Sequence, residues 1–229
     1  MKKKISIIFV VVFFLMTNIV NAVTNYYQDS IKDTSKFEKE NIRDYDVEIH
    51  VNEDASMNVT EKITVYAKND QIKHGIYRDF PTQYENKKVR FDVKEVLLDG
   101  EDVKYNISSV ERGARIRIGD EDTYLRTGLH TYTIKYTTER QITFYDDYDE
   151  LYWNIIGSGW NFEIEKCHAK IYFPEGTKFI EDKLKTYNGR YGSKENNAYV
   201  FYDILSYENA VEFNIYETIP IQEAFTVSI

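Results

Sequence analysis

Glu61 is a carboxylate in a position that suits an apolar side chain. The stretch from Met57 to Ala67 alternates, and Glu61 shares its parity with Met57, Val59, Ile63 and Val65. A buried, unpaired charge is expensive, so such a residue needs a cation or a proton. The next segment, HGIYRDFP, carries Arg78 beside Asp79. Two chemistries fit these residues. Glu61 is either a carboxylate held ready in a cleft, or one half of a bidentate ion pair with Arg78 that serves the fold. The second is expected. Trp153 and Trp160, the only tryptophans, offer a further possibility, because flat indole faces suit sugar rings. Their inward strand parity instead makes them core residues.

Other chemistry finds less support. The acidic turns Asp120 to Asp122 and Asp146 to Glu150 lack the ordered ligand spacing and central glycine of a calcium loop. His50, His74, His130 and His168 are scattered, without HExxH or paired Cys/His spacing, so no metal and no cofactor are expected. There is no GxSxG elbow, and His168 points to the face opposite its neighbour Cys167. A glycosidase needs two carboxylates facing one cleft, and with 38 acidic residues a count cannot identify them.

The elements that must position these residues read as short strands. Tyr45, Val47, Ile49 and Val51 alternate with Asp46, Glu48 and His50, so the domain is expected to open at about Asp44. Val89 to Leu98 ends at Asp99-Gly100, a two-residue hairpin signal, with Val103 to Val110 as the return strand. Ala114, Ile116 and Ile118, and then His130, Tyr132, Ile134 and Tyr136, mark two more inward faces. The stretch ELYWNIIGSGWNFEI, Glu150 to Ile164, reads as a central hairpin turning at Gly157-Ser158-Gly159. Inward parity is even at Ile164 and odd at Cys167, which requires a bulge or break across Glu165-Lys166. Asn188-Gly189 marks a later hairpin, before strands at Ala198 to Ile204 and Ala210 to Glu217. About twelve short strands at roughly ten-residue spacing predict an all-β, mainly antiparallel β-sandwich over residues 44–229.

Composition agrees with that class. Hydrophobic residues make up 42% of the 229 and aromatics 15%, with 20 Tyr and 13 Phe but only 3 Pro, a balance that favours strands. A formal charge of -9 argues against a nucleic-acid partner. Met1 to Ala22 has the form of a signal peptide, with Lys2-Lys3-Lys4, an apolar run from Ile5 to Val20, and small residues at Val20-Asn21-Ala22. Left uncut, the same run is nearly long enough to anchor the chain in a membrane. Residues 23–43 read as a polar linker, where Ser35 and Glu38 have capping-box spacing for one short helix. Cys167 is the only cysteine and can form no internal disulfide.

Five stretches together carry a resemblance: VNEDASMNVTEKITV, HGIYRDFP, GLHTYTIKY, ELYWNIIGSGWNFEI and AKIYFPEG. Their order over residues 44–216 resembles the bacterial and archaeal family of predicted membrane proteins called domain of unknown function 2207. The resemblance implies an extracytoplasmic, β-rich amino-terminal domain of unassigned activity. It also implies Glu61, Arg78, Trp153, Gly157, Gly159 and Trp160 as pattern positions. Members typically continue into membrane-spanning segments, so this chain is expected to be either a stand-alone exported version or part of a longer protein.

The expected role is non-enzymatic: an exported module on the outer face of the cytoplasmic membrane, or outside the cell, that meets an envelope protein or polymer. Glu61, Arg78, Asp79, Trp153 and Trp160 are its candidate binding residues, with Gly157 and Gly159 structural. The alternatives are a carbohydrate-binding module, favoured by exposed aromatics, and a hydrolase using a carboxylate pair.

Overall fold

Strand alternation governs the whole of the described chain. The computed structural model describes residues 39–84, 87–111, 113–190, 192, 200–205 and 207–229. The signal segment and the Ser35–Glu38 capping box lie outside them. Contacts divide the chain into Met1–Lys39 and Glu40–Ile229, and the described strands belong to the second unit. In chain order these are β1 (Asn41–Val51), β2 (Met57–Ala67), β3 (Ile76–Pro81), β4 (Gln83–Tyr84), β5 (Lys87–Lys88), β6 (Arg90–Leu98), β7 (Glu101–Asp102) and β8 (Tyr105–Val110). There follow β9 (Gly113–Ile118), β10 (Gly128–Glu139), β11 (Ile142–Phe144), β12 (Asp149–Ile156), β13 (Cys167–Tyr172), β14 (Lys185–Gly189), β15 (Val200–Leu205), β16 (Ala210–Ile215) and β17 (Ala224–Ser228). Among the described residues one 3₁₀ turn, Glu181–Lys183, interrupts them. Among the described residues no helix is long and apolar enough to cross a membrane.

One layer is an eight-stranded sheet in the order β15-β16-β13-β1-β2-β10-β6-β7. Its pairs are antiparallel except β1 with β13, which run parallel. Over it lie a four-stranded sheet, β11-β12-β17-β14, and a three-stranded one, β3-β9-β8. Ring contacts join the layers: Phe213 of β16 meets Phe225 of β17 at 6.0 Å, and Phe80 of β3 meets Tyr136 of β10 at 4.9 Å. Between them the inward parities of β1, β2, β10 and β13 pack against Ile116, Ile118, Leu151, Trp153 and Val227 as one apolar core. The protein is all-β and mainly antiparallel, as expected.

Several local expectations change. Among the described residues seventeen strands replace about twelve, because β4, β5 and β7 are too brief to show a period. β1 begins at Asn41, ahead of the expected Asp44; a register shift between Ile42 and Asp44 interrupts the alternation that the sequence displays. Glu150 to Ile164 is no hairpin. β12 pairs with β11 and β17, while Ile164 makes only single bridges, to Ile42 and Ile219. Ile155 and Ile156 are both buried, so strict alternation has already failed before the glycines. Asn188-Gly189 is no turn either: both residues belong to β14, opposite Phe225 and Ala224 of β17. Asp99-Gly100 does turn the chain, with φ of 53° and 86°, yet the return strand pairs only at Glu101 and Asp102 before the chain leaves for another sheet. The break at Glu165-Lys166 is where parity required it, with β13 starting at Cys167.

Candidate functional site

Glu61 sits at the middle of β2, between Val47 of β1 and Ile134 of β10. One residue pair to either side on the same face, β1 contributes Tyr45 and β10 contributes Tyr136, opposite Ile63 and Val59. Both lie diagonal to Glu61, within reach of a long side chain. The Tyr45 hydroxyl donates to Glu61 Oε2 and the Tyr136 hydroxyl to Oε1, each at 2.9 Å. From the facing layer, Arg78 of β3 completes the set, with Nε to Oε2 at 2.7 Å and Nη2 to Oε1 at 2.8 Å. Arg78 Nη1 donates to the Asp79 carbonyl, and its guanidinium lies 4.3 Å from the Phe80 ring centre.

This cluster is closed. Glu61 is 1% exposed and Arg78 is 4% exposed. A carboxylate has about four lone-pair sites, and four donors occupy them here. Burial alone would push the Arg78 guanidinium toward neutrality, but the Glu61 charge outweighs it and holds Arg78 well above its ordinary pKa. Burial pushes the Tyr45 and Tyr136 hydroxyls well up, so both stay protonated as donors. A bidentate pair of this kind is strong only because every remaining site is also satisfied.

The remaining sequence-chosen residues gather above it. Asp79 takes a bidentate bond from Arg115 of β9, at 2.6 and 2.7 Å. The loop after β12 runs over this pair: a Cβ on Gly157 would meet Arg78 Nη1, and one on Gly159 would meet Asp79 Oδ2, each at 3.7 Å, an ordinary contact. Trp160 is 6% exposed and meets Tyr45 edge-on at 5.9 Å; Trp153 is 8% exposed. Arg78, Asp79, Gly157 and Gly159 line two small cavities, one of about 310 Å³ that includes Trp153 and one of about 140 Å³ that includes Arg115 and Trp160. Residues spread from 61 to 160 thus meet in one place, with Glu61 beneath it. The buried indoles give no exposed sugar-stacking platform.

Sequence reasoning missed Tyr45, Tyr136 and Arg115. A signal for the first two existed: inward tyrosines need a hydroxyl partner, and Glu61 was an inward acceptor without one. It also missed Glu40, whose carboxylate accepts backbone N–H groups from Lys68, Asp70, Gln71 and Ile72. Burial opposes its ionisation, but those bonds outweigh burial and hold its pKa below the usual carboxylate value. A larger cavity lies elsewhere. It has about 770 Å³, an apolar lining that includes Phe144, Leu151, Phe173, Phe179 and Leu184, and no lining residue in common with the other two.

The other candidates have internal partners. His168 bridges Asp46 and Glu212 at 2.9 and 3.2 Å, and His130 bonds Asp99. Among the described residues no group of three His, Cys, Asp or Glu side chains could hold a metal ion. Cys167 is buried, and burial pushes its thiol well above the ordinary value, away from nucleophilic use. In the acidic turns, Asp120 accepts from the Asp122 backbone, and Glu150 accepts from Ser228.

Comparison with known proteins adds a family and a fold. The family described as "Predicted membrane protein (DUF2207) N-terminal domain" matches residues 41–218. The uncharacterized protein YciQ of Escherichia coli (strain K12) is 30% identical over 172 residues, which cover 72% of this chain and 27% of that one. The chain therefore spans about a quarter of that relative's length. Among solved structures, native yeast LTA4 hydrolase aligns with a TM-score of 0.51 at 13% identity, over 83% of this chain and 29% of that one. A second structure of native leukotriene A4 hydrolase, from Saccharomyces cerevisiae, aligns with a TM-score of 0.50 at 13% identity, over 84% and 29%. At such identity the likeness is one of fold.

Proposed function

The chain belongs to the DUF2207 family of predicted membrane proteins, and we propose that its strand-built unit is a non-enzymatic interaction module on the outer side of the membrane. Export is supported by the basic start, apolar run and small residues of Met1 to Ala22. The observation that carries the non-enzymatic reading is the state of Glu61. All its acceptor sites are filled by Arg78, Tyr45 and Tyr136, which leaves none for a substrate proton. Asp79, the other carboxylate among the residues gathered there, is engaged by Arg115. A hydrolase would need two carboxylates of unequal environment facing one cleft, and neither of these is free.

The partner under this reading is an envelope protein or polymer, met through exposed loops and strand edges. The test uses the full chain, purified in detergent. It is passed over cell-wall polymer and, in parallel, incubated with chromogenic glycoside, ester and peptide substrates. The expected result is retention on the polymer with no turnover of any substrate. Turnover that vanishes in Glu61→Gln, while the fold is kept, overturns the reading.

A further inference from the structure

The cavity of about 770 Å³ is lined from both layers of the sandwich. The large sheet contributes Val51, the last residue of β1, and Phe173, just past β13. The four-stranded sheet contributes Ile142 of β11, Leu151 of β12 and Ile229, just past β17. Ile142 pairs with Leu151, and Leu151 exchanges backbone bonds with Ile229 at 3.0 and 3.1 Å, so the three side chains share one face. Phe179, edge-on to Phe173 at 5.3 Å, and Leu184 add to the apolar lining. Small-ligand sites are concave, mostly apolar and roughly 300–1,000 Å³ in volume, and this cavity has that form.

Its charged lining is unbalanced. Five carboxylates, Glu53, Asp54, Asp147, Asp149 and Glu150, stand against two ammonium groups, Lys178 and Lys183. Asp54 accepts from Ser56, and Glu150 from Ser228. Glu53, Asp147 and Asp149 are exposed, and their carboxylates have no partner among the described residues. Asp149 is the register partner of exposed Phe144 and shares the strand parity of Leu151, which places charge beside the apolar lining. An excess of carboxylates there repels an anionic head group and attracts a cationic one. One cation is already seated at this cavity: Lys183 Nζ lies 3.4 Å from the ring centre of Tyr148, which stacks on Tyr145 at 4.7 Å.

We propose that this cavity binds a small amphiphile made of an apolar body and an ammonium head. The body packs against Ile142, Leu151, Phe173 and Phe179, and the head lies beside Asp147 and Asp149. Apolar burial supplies the attraction, and the carboxylates select the sign of the head. The site shares no lining residue with the two cavities above Glu61, so it goes beyond the interaction reading given above.

The probe is dansylcadaverine, an apolar fluorophore on a chain that ends in an ammonium group. Its control is dansylglycine, the same fluorophore with a carboxylate. Each is titrated at neutral pH and low salt into the full chain in phosphatidylcholine nanodiscs, with empty discs subtracted. Dansylcadaverine is expected to give saturable, blue-shifted fluorescence and to bind about fivefold or more tightly than dansylglycine. Asp147→Asn combined with Asp149→Asn, both at exposed positions, is expected to remove most of that preference. Phe144→Ser, also at an exposed position, is expected to weaken both probes, and the circular-dichroism spectrum should be unchanged in every variant. The proposal is overturned if dansylcadaverine shows no saturable binding or if the two probes bind equally. It is also overturned if the double variant leaves the preference intact, or if Phe144→Ser leaves both affinities intact. Any of these results can coexist with retention on cell-wall polymer, so failure here is distinct from failure of the interaction reading.

Discussion

β2 and β8 are both uninterrupted strands, and they solve the problem of polar groups in opposite ways. On β2 a charged side chain is taken into the core, and the chain supplies four donors to meet it, from β1, β10 and β3. On β8, which ends the three-stranded sheet, neutral side chains stay in solvent, and among the described residues no further strand pairs with its outer side. The difference separates what holds the fold from what is left for a partner. A group whose bonding sites are all filled from within contributes rigidity, while an unguarded edge keeps its capacity for something outside.

The largest effects belong to the enclosed side. Trp160→Ala removes the ring packed on Tyr45 and should cost about 3–5 kcal/mol in urea unfolding. Were Trp160 a ligand platform, the loss would be small. Within the enclosed region the hydroxyls are not equivalent. Tyr136→Phe strips a donor from a buried carboxylate and should cost about 1–3 kcal/mol. Tyr132, equally buried, has a hydroxyl with no hydrogen-bond partner among the described residues, so Tyr132→Phe should be neutral or slightly stabilising. Equal losses from the two substitutions would contradict the role given to Glu61.

A smaller effect is expected on the outer face of the large sheet, at half-buried His168. Its bond to Asp46 raises its pKa above the ordinary histidine value. The raised value means that the stabilisation is full below the ordinary value and is lost as pH rises through the raised one. Comparing wild type with His168→Asn from pH 5 to 9 should show a gap, under about 1 kcal/mol, that closes at the alkaline end. The smallest effect belongs to the open edge. Ile107→Thr, at a position 46% exposed, should alter stability by about 0.5 kcal/mol or less.

Much of this was legible in the residues. Met57 to Ala67 and Gly128 to Glu139 display a clean period because each pairs on both sides and faces the core with one side only. Glu61 stood out because a charge on an apolar parity needs a partner, and Arg78 was the residue found there. Pairing was less legible than facing. Alternation in Glu150 to Ile156 says which side chains go inward but cannot say that the neighbour is β17, some seventy residues onward. Asn188-Gly189 has turn-forming residues, yet it pairs as strand because Gly189 accepts a φ of 135° without strain. β8 was readable as a strand; its openness was not, since exposure depends on where the other layer ends.

Equilibrium unfolding of Glu61→Gln beside wild type tests the enclosed cluster most directly. The substitution leaves Arg78 buried with its charge unmatched, and a loss of about 3–5 kcal/mol is predicted. Unchanged or increased stability would contradict the account, because that is how a group behaves when the fold holds it for function at its own expense.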